Sequence, residues 1–85
     1  MPQQFQQNIR TRFAVLVFLK NSVMPLVLYF ENPEEEYLKF KEILKTPNAI
    51  PKLIERETVG PVKRISLMSN QIAGVALQEE QVPVR

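Results

Sequence analysis

Phe13–Phe30 reads FAVLVFLKNSVMPLVLYF, and its punctuation decides the fold. Phe13–Leu19 is an unbroken apolar run rich in Val and Phe, bounded by Arg12 and Lys20. That length and composition suit a strand covered on both faces better than a helix. Lys20-Asn21-Ser22 is a turn signal, and Pro25–Phe30 follows as a second strand, with Leu26, Leu28 and Phe30 on one face and Val27 and Tyr29 on the other. Pro25 is tolerated where a strand begins, though not in its middle. The pair reads as an antiparallel hairpin.

As a membrane segment the same stretch fails. A span needs about 20 mostly apolar residues, and a Lys at its centre costs roughly 2.5–3.5 kcal/mol on insertion. Lys20, Asn21, Ser22 and Pro25 all fall mid-segment. As an export signal it has basic residues ahead of it, Arg10 and Arg12, but lacks a small-residue cleavage site before Pro25. The expectation is a chain without a membrane span, placed in the cytoplasm.

Outward from the hairpin, Asn32 opens a helix. Its side chain can cap, Pro33 suits the first helical position, and Glu35 completes an Asn-x-x-Glu variant of the capping box. Glu34, Glu35 and Glu36 favour the positive end of the helix dipole and Lys45 the negative end. Glu35 and Lys39 stand four apart, close enough to pair. Tyr37, Phe40, Ile43 and Leu44 form a stripe wide enough to lie on a sheet. Thr46-Pro47-Asn48 ends the helix.

Residues 50–58 admit two readings. Ile50, Leu53 and Ile54 fit one more helical turn, whereas Leu53, Ile54, Thr58 and Val59 fit a strand running into Gly60-Pro61. The strand is favoured, because the alternating stretch ending at Met68 needs a partner. After a turn at Ser69-Asn70-Gln71, Ile72–Leu77 is a last strand in which Gly74 marks a bulge or a close backbone approach. The predicted fold is α+β in the order ββαβββ: an antiparallel sheet of four to five strands with one helix on one face. Its bounds are a flexible Gln-rich arm at 1–11, where Phe5 and Ile9 could dock, a single domain at 12–79 and a tail at 80–85.

Composition narrows the chemistry. The chain has 85 residues, 45% apolar and 24% charged, which is room for one thin core. It has no Cys, no His and no Asp; the nine acids are all Glu. Disulfides, thiolate metal sites and the commonest general acid/base are therefore absent. A net charge of +2 carries the pI to about 9.2 because little titrates near neutrality, so the pI by itself says little about nucleic acid.

Each reactive-looking cluster has a simpler reading. Consecutive helical carboxylates at Glu34–Glu36 diverge by about 100° per residue, so they suit a solvated helix start better than a cation. Glu55 and Glu57 share a strand face, with Arg56 and Lys63 near enough to serve as plain ion partners. Ser22, Ser66 and Ser69 lack a histidine base, and Ser22 and Ser69 are turn residues. Two glycines, Gly60 and Gly74, cannot make a phosphate-cradling loop. No catalytic residue, metal ligand or cofactor is expected.

The pattern resembles a small family of cyanobacterial and plastid proteins. The likeness lies in FAVLVFLKNSVMPLVLYF, in the acidic-start helix PEEEYLKFKEIL and in the closing hairpin KRISLMSNQIAGVAL, covering Phe13 to about Gln78. The resemblance implies a hairpin–helix–hairpin arrangement and brings no activity and no functional residues with it.

One helix cannot cover both faces of such a sheet. The expected function is therefore a non-enzymatic interaction domain that pairs with itself or docks on a larger complex. Phe18, Val27, Tyr29, Val75 and Leu77 are the candidate surface. The alternative is a small RNA- or DNA-binding module using Lys52, Arg56, Lys63 and Arg64 on phosphates. Against it, the aromatics that would stack bases all precede that cluster, and Glu55 and Glu57 dilute it.

Overall fold

The computed structural model describes residues 9–46 and 50–83. Strand β1 (Ile9–Leu19) is followed by β2 (Leu26–Leu28), helix α1 (Pro33–Lys45), β3 (Leu53–Glu57), β4 (Arg64–Met68), a short 3-10 turn at Ser69–Gln71, and β5 (Ile72–Pro83). The order is the predicted ββαβββ, and every pairing is antiparallel. The five strands divide into two sheets, β2-β1-β5 and β3-β4, joined among the described residues at a single bridge between Tyr29 and Val59. Residues 50–58 take the strand reading, with Leu53 opposite Met68 and Ile54 opposite Leu67.

The central strand β1 carries the core on one face. Val15 and Val17 are fully buried with Leu28, Phe30, Phe40, Ile54 and Ile72. Around them pack Leu19, Leu26, Ile43, Ile65, Leu67, Val75 and Leu77. Helix α1 lies over this face against β5 and β1. Phe40, the largest fully buried side chain, sits tilted to Phe30 with ring centroids 6.4 Å apart, a geometry favoured by aromatic quadrupoles.

Two features of the helix differ in detail from the expectation. Asn32 makes no side-chain cap; its carbonyl instead accepts the Glu36 N–H at 3.1 Å. Glu35 is drawn outward to Lys39 at 3.4 Å, so the capping box does not form. At the other end Thr46 closes the helix with both its N–H and its hydroxyl on the Glu42 carbonyl. The rest of the expected helix ending, at 47–49, lies outside the described residues.

The arm and tail are the larger correction. Residues 9–11 and 80–83 are paired strand: Ile9 stands opposite Pro83, Thr11 opposite Gln81 and Arg12 opposite Glu80. Polar, aperiodic residues give no strand signal of their own, but each finds a hydrogen-bonding ladder and a cross-strand partner in the other. The arm at 1–8, with Phe5, and the tail at 84–85 lie outside the described residues. The register slips once, between Phe18 opposite Gly74 and Leu19 opposite Ile72. This places a bulge at Ala73, beside the glycine expected to mark one. No helix among the described residues is long and apolar enough to cross a membrane.

Candidate functional site: a bare sheet face and an open edge

Alternation along β1 sends Leu16 and Phe18 to the face opposite α1, and the register adds Val27, opposite Leu16, and Ala76 and Gly74, opposite Leu16 and Phe18. On this face Ala14 is buried and Leu16 half-buried among their neighbours, while the larger side chains toward the β1–β2 turn stay open. Phe18 is 39% exposed and Val27 44%. Gly74 lies beside the Phe18 ring: a Cβ placed there would stand 3.7 Å from it, an ordinary contact.

The same face holds a polar cluster at its other end. The Tyr29 hydroxyl donates to Glu80 Oε1 at 3.1 Å, and Arg12 Nε donates to that oxygen at 2.8 Å. The Arg12 guanidinium carbon stands 4.3 Å over the Tyr29 ring, a cation–π stack. The Arg12 hydrogen bond holds the Glu80 carboxyl below its ordinary value, against some loss of hydration and with help from Tyr29. Arg12 is raised in turn, chiefly by its hydrogen bond to Glu80.

Beside this cluster β2 stops at Leu28 and leaves the Arg10–Phe13 edge of β1 open. That edge, Tyr29–Glu31 and the Val59–Pro61 loop wall a cleft of about 720 Å³. The loop is pinned by Thr58, whose N–H reaches the Lys63 carbonyl at 2.9 Å and whose hydroxyl donates to Val62 at 2.6 Å, and it turns at Gly60 with φ +89°.

The outer side of β5 is the second open element. β1 occupies one flank of all but Ala73 in this twelve-residue strand, and among the described residues nothing pairs with the other. Its N–H and C=O groups on that side are a template for another strand.

The predicted residues fall as follows. Phe18, Val27 and Tyr29 share the bare face, Tyr29 half-buried under its hydrogen bonds. Val75 and Leu77 do not join them: they stand opposite Val17 and Val15 and pack on the core from the helix side. The basic cluster is not gathered onto one surface. Arg56 points toward α1, where Nε binds Glu36 at 3.0 Å, while Arg64 lies on the other face of the β3-β4 hairpin opposite Glu57. Lys52 and Lys63 flank the hairpin, both exposed. Two of the serines have structural work: Ser69 Oγ accepts the Lys52 N–H at 2.8 Å and Ser22 Oγ donates to the Met24 carbonyl at 3.0 Å, while Ser66 lies exposed on β4 opposite Glu55. No three carboxylates among the described residues converge on a point that could hold a metal.

Sequence reasoning missed the length of β5 and the Arg12–Tyr29–Glu80 cluster. The clue to the cluster was present: Arg12 and Glu80 are opposite charges just outside the two apolar strands that pair.

Compared with known proteins, the chain matches no family model, no curated protein and no solved structure.

Proposed function

We propose that this chain is a non-enzymatic protein-interaction domain that binds through the open edge of β5 and the bare sheet face beside it. The observation that carries the reading is the unpaired flank of β5, continuous with a face on which Phe18 and Val27 stay exposed. An open strand edge supplies main-chain affinity and the adjoining side chains supply selectivity, which is how strand addition works as a recognition mode. Sheet edges that must stay single are usually short, charged inward or covered. This one is twelve residues long and, among the described residues, uncovered.

A differential capture tests the reading. Tagged chain is compared with Val27→Glu, which charges the face, and with Gln78→Lys, which places on the edge the residue natural edges use against pairing. Proteins held by the parent and lost from both variants support the reading. Identical recovery by all three contradicts it.

A further inference from the structure

The geometry points to a second copy of this chain as the strand that pairs with β5, in an antiparallel two-fold arrangement centred on Gln78. This rests on the interaction reading above and names its partner.

The two ends of β5 define the centre. At one end the register slip beside Phe18 leaves Ala73 as a bulge, and at the other Pro83 has no N–H to give. Between them Gly74–Val82 is regular, and its midpoint is Gln78. A two-fold axis perpendicular to a sheet requires residues directly opposite each other to lie on the same face, so the axis must pass beside a residue facing its own copy. Gln78 satisfies this. It then faces its twin, Leu77 faces Glu79, Ala76 faces Glu80, Val75 faces Gln81, and Gly74 faces Val82.

This register has the charge pattern a self-pair needs. β5 carries two acids, Glu79 and Glu80, and no base, so a poor register would set carboxylate against carboxylate and cost stability. Centred on Gln78, each glutamate meets an uncharged side chain. Glu80 meets Ala76, whose small side chain leaves the Arg12 and Tyr29 contacts undisturbed. A glutamine amide has both donor and acceptor, so two of them can bond reciprocally at the axis. The product is a continuous sheet with β5 paired to β5, both helices on one side and the two bare faces joined on the other.

The chain has no cysteine, so any introduced thiol is unique. Gln78 is exposed and outside the core, its amide donating to Glu80 Oε2 at 3.2 Å, so its substitution removes one exposed hydrogen bond and leaves the core and the Arg12–Glu80 pair in place. Facing residues of an antiparallel pair lie about 4.5–5.5 Å apart at Cα, inside the range of about 4.4–6.8 Å that a disulfide accepts. Under mild oxidation Gln78→Cys should close to a covalent dimer. Gln81→Cys, about 20 Å from its copy in this register, should not. By light scattering Gln78→Lys and Gln78→Glu should each weaken association at least tenfold, and an equimolar mixture should restore it. Parent chain that stays at 9.9 kDa overturns the inference. So does a dimer in which Gln78→Cys stays open or Gln81→Cys closes equally well. In each of those cases the differential capture above still decides whether the chain binds other proteins.

Discussion

Tyr29 and Glu80 meet across an intervening strand: the phenol at the end of β2 donates to the carboxylate on β5 at 3.1 Å, with β1 between them and Arg12 of β1 completing the contact. The three outer-face groups tie all three strands of the sheet at the point where β2 ends and β1 and β5 continue as a pair.

That contact makes acid sensitivity a test. Glu80 is held below its ordinary value, first by Arg12 and then by Tyr29. A carboxyl whose folded value is depressed contributes stability above its unfolded value and loses it as pH falls through the folded one. Denaturant midpoints of the parent should therefore fall more between about pH 6 and pH 3 than those of Glu80→Gln. Parallel curves for the two proteins would remove the contact from the stability of the fold.

The core prediction concerns Phe40. It is fully buried among Val15, Val17 and Phe30, and Phe40→Ala should cost about 3–5 kcal/mol through lost burial and the cavity left behind. A domain of this length has a total of roughly 0.05–0.15 kcal/mol per residue, so thermal unfolding should drop steeply or lose its cooperative transition. Leu38, exposed on the same helix, should tolerate Ala within about 0.5 kcal/mol.

The two glycines should behave differently. Gly60 has φ +89°, where a side chain is strained even though an added Cβ would meet the Tyr29 ring only at 3.8 Å, so Gly60→Ala should destabilise by about 1 kcal/mol or more. At Gly74 φ is ordinary and the nearest atom to an added Cβ is 3.7 Å away, so Gly74→Ala should be close to neutral in urea titrations.

The dispersed basic residues predict weak contact with nucleic acid. With Arg56 engaged by Glu36 and Arg64 set opposite Glu57, mixed oligonucleotides should show no measurable binding at about 50 mM salt. Tight, steeply salt-dependent binding would revive the alternative.

The helix and the two apolar strands were legible because their signals are local. Pro33, the three glutamates and Lys45 mark the helix ends, and Val-rich runs broken at Asn21 mark the hairpin, whose Asn21 takes φ +62°. The length of β5 was not legible. Glu79-Glu80-Gln81 has no apolar alternation, and it is strand because Phe13, Arg12 and Thr11 stand opposite on β1. For the same reason Val75 and Leu77 could not be assigned a face: their side of the sheet follows from pairing with Val17 and Val15, a tertiary fact. Nor does the division into two sheets show in the sequence. It follows from β2 ending after three residues, with one bridge at Tyr29 left to reach the β3-β4 hairpin.

Hydrogen exchange along β5, followed by mass spectrometry over a range of protein concentrations, tests most directly whether its outer flank is a binding edge. As concentration rises, the Gly74–Val82 amides that point away from β1 should gain protection while those of the exposed β3-β4 hairpin stay unchanged. Outer-flank amides that exchange at the same fast rate at every concentration would contradict the account.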